Sequence, residues 1–228
     1  LGKFSSDVIV LNASLNEVAP PIREREKMLE QLSDVVVALK ASFGVQVFAN
    51  GEKFILIDET GAVIRDEILT GVIVDMALTA QPRGTIIVPV SIAGLVEQVA
   101  ARHQGKVIRT KSSPTALMLA CQKTEGTILG GSADMGFIFP KLHPGFDAMF
   151  CIAKIIEWLT IQERTISQVR QSLPRFYYQS QIVRCPWSIK GALMRHLVES
   201  YSQKQLELVD GVKIFYSPND WVLVLPDA

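Results

Sequence analysis

Three short loops concentrate the residues able to bind or react. Asn50-Gly51-Glu52-Lys53 offers an amide, a carboxylate and an ammonium within four positions, and Gly130-Gly131-Ser132-Ala133-Asp134 offers a hydroxyl and a carboxylate beside a glycine pair. Arg109-Thr110-Lys111-Ser112-Ser113 places two cations and several hydroxyls ahead of Pro114, which fits a helix first turn. That last combination can hold a phosphate by charge and by backbone N–H groups, and it equally describes an exposed basic turn with a capping serine. His103, His143 and His196 show no paired spacing with one another or with Cys121, Cys151 and Cys185, so no zinc site is expected. His103 and His196 fall within or at the end of helical patterns, and His143 falls in a loop where a cap or turn role is expected. No Gly-x-Gly-x-x-Gly or Gly-x4-Gly-Lys-Ser pattern occurs, which leaves a dinucleotide or nucleoside-triphosphate site without support.

The elements that must position these loops follow from apolar periodicity. Residues 7–11 are a mostly apolar run that reads as a buried strand, and residues 16–21 turn the chain through a double proline. From residue 23 to 39, Met28, Leu29, Leu32, Val35, Val36 and Leu39 recur at helical spacing. Runs 45–48 and 54–57 read as neighbouring strands with Asn50–Lys53 between them. A helix over 66–80 is followed by the apolar strand 85–90, a helix capped by Ser91, a strand at 106–109, a helix after Pro114 and a strand at 127–129. This alternation predicts a layered α/β unit with a mainly parallel sheet, whose ligands lie outside the carboxyl ends of the strands. A helix over 146–160 and a short one from Thr165 to Pro174 complete it. Strands at 177–183, 206–209, 212–216 and 221–225 around a helix at 187–201 then predict a small α+β unit.

The composition narrows the function classes. Lys+Arg and Asp+Glu both number 23, so no global field attracts nucleic acid or an anionic membrane. Asp75 and Lys154 interrupt the longest apolar runs, so no membrane span is expected. Three scattered cysteines fit reduced thiols in a cytosol better than a disulfide framework. The first residue is Leu1, with no charged-then-apolar leader behind it, and the expectation is a piece of a longer protein.

Residues 41–61, ASFGVQVFANGEKFILIDETG, resemble without a gap the segment of the α-D-phosphohexomutase family (phosphomannomutase/phosphoglucomutase) written roughly ADLGIAxDGDxDRxxxVDExG. Further on, GTIIVPV, GKVIRTK and GG…GFIFP…HPGFDA resemble that family's third domain, and LPRFY, CPWSIKGALMRHL and DGVKIFYSPNDWVLVLP its fourth. The resemblance implies three-layer α/β/α phosphohexomutase-like domains followed by a small α+β C-terminal domain, divided as 1–66 (the end of domain 2), 67–161 (domain 3) and 162–228 (domain 4). It also implies a Mg²⁺ loop with three Asp carboxylates, at the places occupied here by Phe48, Asn50 and Glu52, with Lys53 at the family's Arg. Ser132 stands at the Glu of the family's sugar-binding loop, with Asp134 the nearby acid. Val224-Leu225-Pro226-Asp227-Ala228 stands where the family's phosphate loop, RPSGTEP, begins, and the family's phosphoserine loop has no counterpart in these residues.

Endings of this kind also resemble the C-terminal part of fusion proteins that begin with a sugar nucleotidyltransferase of the mannose-1-phosphate guanylyltransferase type. The expectation is then a cytoplasmic, mutase-like, non-catalytic module with no catalytic residue and no cofactor of its own. Its partners would be the nucleotidyltransferase part of the same chain and a hexose phosphate, with homo-oligomerisation left open. Two alternatives stand beside it. One is a working mutase completed by segments outside this sequence, with Asn50 and Glu52 on Mg²⁺; the other is a hexose-phosphate-sensing domain that uses Lys53, Arg109, Lys111, Ser112, Ser132 and Asp134.

Overall fold

The amphipathic stretch expected from residue 23 forms α1 (Ile22–Ala38), which packs Leu29 and Val36 against Ile57. Ile57 belongs to β2 (Phe54–Asp58), the middle strand of an antiparallel sheet with β1 (Phe43–Val47) and β3 (Val63–Ile64). Strand alternation gives β2 two buried faces: Ile57 meets α1, whereas Phe54 and Leu56 join the main core. The computed structural model describes residues 7–11, 22–217 and 220–226, so the expected turn at 16–21 lies outside the described residues. Residues 7–11 form no strand, and Val8, Ile9, Val10 and Leu11 are exposed. Their composition suits a strand, but a strand exists only where a neighbour accepts its hydrogen bonds.

The central unit comprises α2 (Asp66–Ala80), β4 (Thr85–Pro89), α3 (Leu95–Arg102), β5 (Lys106–Thr110), α4 (Pro114–Lys123), β6 (Thr127–Ser132), β7 (Gly136–Phe139), β8 (His143–Phe146), α5 (Ala148–Gln162) and α6 (Ile166–Ser172). Its sheet runs β5-β4-β6-β7-β8. β4 is parallel to β5 and β6, but β6–β7 and β7–β8 are antiparallel, so the sheet is mixed rather than mainly parallel. The connection from Ser132 to Gly136 is too short for a crossover and can only make a hairpin. Pro144 sits in β8, the outermost strand, where a missing N–H costs no ladder bond. Ile86 and Val88 face the cluster built from α2, α3 and α5, and Ile87 faces Leu117 and Cys121 of α4, which is the α/β/α layering. Local caps set the helix starts: Ser113 accepts from Ala116 N–H, Asp147 from Phe150 N–H, and Thr165 with Gln168 closes a capping box.

Beyond residue 173 the chain runs without regular structure to α7 (Trp187–Ser200), and the strand expected at 177–183 does not form; Tyr177, Ile182 and Val183 are exposed. β9 (Leu206–Glu207), β10 (Val212–Phe215) and β11 (Trp221–Val224) make an antiparallel sheet in the order β11-β10-β9. Two polar contacts tie it to the strand ends of the central sheet. Ser112 N–H donates to the Asp210 carboxylate at 2.8 Å, and Lys213 Nζ donates to the Val90 carbonyl at 3.4 Å. Among the described residues no helix is long and apolar enough to cross a membrane.

Candidate functional site

Two of the three sequence-picked loops meet. The loop between β1 and β2 is docked on the central unit: Ala148 N–H donates to the Gly51 carbonyl at 2.9 Å, and the Glu52 carbonyl lies where a Cβ on Gly136 would stand. Only glycine allows that approach, and Gly136 also has φ +103°. The two loops and the start of α2 enclose a cleft of about 250 Å³, lined by Phe48, Lys53, Arg65, Asp66, Ala133 and Asp134 with Phe54, Ile55 and Leu69 beneath. The far wall is pinned to α2 by Thr70, whose Oγ1 accepts from Ala133 N–H at 3.0 Å. The cleft therefore offers two cations and two carboxylates over an apolar floor. A larger recess of about 340 Å³ between α7 and β10, lined by Met194, Val198 and Val212 among others, gathers none of the sequence-picked residues.

Behind the cleft stands Glu67, a buried acid with only 7% of its surface exposed. Its Oε2 accepts from Ala93 N–H at 3.1 Å. Burial pushes its carboxyl from 4.5 up to about 7; the Ala93 N–H opposes that rise and the negative charge of Asp134 adds to it. The Tyr178 phenol is raised by burial and by the charges of Glu67, Asp134 and Asp66, which places it in the same electrostatic neighbourhood. Arg65, Asp66, Glu67 and Tyr178 were not singled out by sequence reasoning. Acids in a first helical turn ordinarily complement the helix dipole; the available signal was that α2 is apolar on every side, so an acid inside it has to be buried.

The third loop serves a different purpose. Arg109 Nε and Nη2 hold Glu97 at 2.8 and 2.9 Å, and its remaining donors reach the carbonyls of Pro89, Val90, Ile92 and Ala93. The guanidinium is a clamp on the β4–α3 connection. Ser112 is engaged by Asp210 and by Ser91 Oγ at 3.3 Å, and Lys111 is exposed. Ser132 is 1% exposed, and its hydroxyl has no hydrogen-bond partner among the described residues.

The resemblance implies a magnesium loop, and the donor set does not fit that ion. A hard divalent cation takes about six oxygens, preferably anionic. Here Asn50 Nδ2 donates to Glu52 Oε2 at 2.5 Å while Asn50 Oδ1 accepts from Glu52 N–H at 3.3 Å, so the two candidate ligands are hydrogen-bonded to each other and bring a single carboxylate to the loop. Phe48 offers no donor atom, and among the described residues no cluster of three His, Cys, Asp or Glu is placed to hold a metal.

The sequence of residues 65–177 matches the family model for phosphoglucomutase/phosphomannomutase α/β/α domain III. The chain is 29% identical over 201 residues to a phosphoglucomutase/phosphomannomutase of Thermococcus kodakarensis, covering 87% of this chain and 43% of that protein. It is 26% identical over 235 residues to the "Probable phosphoglucosamine mutase" of Methanopyrus kandleri, covering all of this chain and 51% of that protein. The crystal structure of a phosphoglucomutase/phosphomannomutase family protein from Burkholderia thailandensis superposes with a TM-score of 0.68 at 18% identity, over 88% of this chain and 43% of that one. That likeness establishes the fold. The chain spans about half the length of the curated relatives it matches.

Proposed function

We propose that this chain is part of a phosphohexomutase-type protein, that its cleft holds a hexose phosphate, and that the whole protein moves a phosphoryl group between positions of the sugar. The observation that carries this reading is the meeting of the β1–β2 loop with the β6–β7 turn around Lys53, Arg65, Asp66 and Asp134. The chemistry suits the ligand: two cations complement a phosphate, and two carboxylates accept hydrogen bonds from sugar hydroxyls. The mutase names of the relatives support the same reaction class. In this reading residues 1–66 are the end of a second domain, 67–161 a third and 162–228 a fourth, and the phosphate-carrying serine lies outside residues 1–228.

A second reading, a non-catalytic module linked to a sugar nucleotidyltransferase, is favoured by the self-paired Asn50 and Glu52 and by Leu225 at the family's phosphate-loop position. Thermal-shift titration of the protein with glucose 1-phosphate, mannose 1-phosphate and glucosamine 1-phosphate separates these readings from an empty scaffold, because a ligand of the folded state raises its stability. The expected result is a rise that is lost in Asp134→Asn. Mutase turnover by the full-length protein then favours the first reading, and binding without turnover the second.

A further inference from the structure

The β1–β2 loop keeps its shape by its own hydrogen bonds. Phe48 N–H donates to the Lys53 carbonyl and Gly51 N–H to the Phe48 carbonyl, both at 2.9 Å, while the Gly51 carbonyl is taken by Ala148 N–H. In a loop organised by a cation, its oxygens converge on the ion. Here the Glu52 carboxylate faces an amide N–H of Asn50 instead, and Gly51, at φ +69°, turns the chain without requiring an ion at its centre. What the loop does present to the cleft is a cation of its own. Lys53 is half-buried in the cleft wall and forms no ion pair with any described residue. Arg65, its companion cation, is already engaged with Glu26 at 3.0 Å.

We propose that this loop binds no divalent cation and that the Lys53 ammonium supplies, in its place, the positive charge that holds the phosphate of a hexose phosphate. The proposal rests on the functional reading above, and it deepens that reading by making the site metal-independent. An ammonium suits this role because it is a compact point charge with three donors, able to meet phosphate oxygens that a bridging ion would otherwise neutralise.

Two measurements on the full chain test it. The first is Mn²⁺ binding followed by electron paramagnetic resonance, for wild type and Glu52→Gln. The expected result is no stoichiometric site at millimolar Mn²⁺ and identical titrations for the two proteins. One bound Mn²⁺ per chain that disappears in Glu52→Gln overturns the proposal. The second is calorimetric titration of glucose 1-phosphate and mannose 1-phosphate in EDTA and in Mg²⁺. Equal affinity in both is expected, with about tenfold weaker binding in Lys53→Gln, the loss of one charge-assisted contact, and recovery in Lys53→Arg. Binding that requires Mg²⁺, or that is indifferent to Lys53→Gln, overturns it. Absence of hexose-phosphate binding under both conditions overturns the functional reading and the role given to Lys53, whereas the Mn²⁺ titration decides the loop's metal chemistry independently.

Discussion

Replacing Glu67 by glutamine isolates the most strongly perturbed acid beside the cleft. Glutamine keeps the shape and an acceptor oxygen for Ala93 N–H but removes the charge. In the fold the Glu67 carboxyl titrates at about 7 instead of 4.5 because burial disfavours its ionised form. A group with a raised acidic pKa binds more protons in the folded state between those values, so the Glu67 contribution to folding stability is greatest below pH 4.5 and is lost as the pH rises to 7. At about 1.4 kcal/mol per pKa unit, the full displacement corresponds to about 3 kcal/mol. Urea unfolding of wild type and Glu67→Gln at pH 5 and pH 8 measures it directly. The variant should match wild type near pH 5 and exceed it at pH 8 by about 2–3 kcal/mol. A difference independent of pH, or a variant less stable at pH 8, refutes the argument that Glu67 ionises at the expense of the fold.

Other perturbations follow from the same geometry. Lys213 is 2% exposed, and burial lowers its ammonium from 10.5 to about 8. The folded state therefore releases its proton first, and stability should rise as the pH goes from 8 to 10.5; calorimetry of Lys213→Met should show that rise diminished. Arg109→Lys should cost about 2–4 kcal/mol in urea, since an ammonium cannot span Glu97 and the 89–93 carbonyls together. Gly136→Ala should abolish hexose-phosphate binding and lower the melting temperature, because the new methyl meets the Glu52 carbonyl at a positive φ. Burial raises the thiol of Cys121 to about 12 and also raises that of Cys151, while Cys185 is partly exposed. Ellman's reagent should therefore titrate one thiol in the folded protein and three in guanidinium.

Where apolar periodicity was long, the sequence predicted the element: the helices over 22–38, 66–80 and 148–162 and the strand 85–89 all stand close to their expected bounds. The misreadings came from short segments whose state depends on partners. Residues 7–11 and 177–183 have strand composition but no strand neighbour among the described residues, whereas Gly136–Phe139 and His143–Phe146 are strands because each completes a hairpin ladder. The meeting of the Asn50–Lys53 and Gly130–Asp134 loops was not legible, because they belong to two different sheets and are joined by the Ala148–Gly51 hydrogen bond and the close approach of Glu52 to Gly136. Arg109 and Ser112 were legible as polar groups able to grip a phosphate, but not as groups gripping this chain's own carbonyls and carboxylates, because those contacts span elements far apart in sequence. Glu67 escaped notice because acids in a first helical turn are ordinarily solvated, and only the apolar surround of α2 marks this one as buried.

The most direct test of the central claim is amide chemical-shift mapping of the protein titrated with glucose 1-phosphate in EDTA. The account predicts perturbations centred on Lys53, Arg65, Asp66, Ala133 and Asp134, the residues that line the cleft. Shifts centred instead on residues 109–113, or on the recess beside Met194 and Val198, would contradict it.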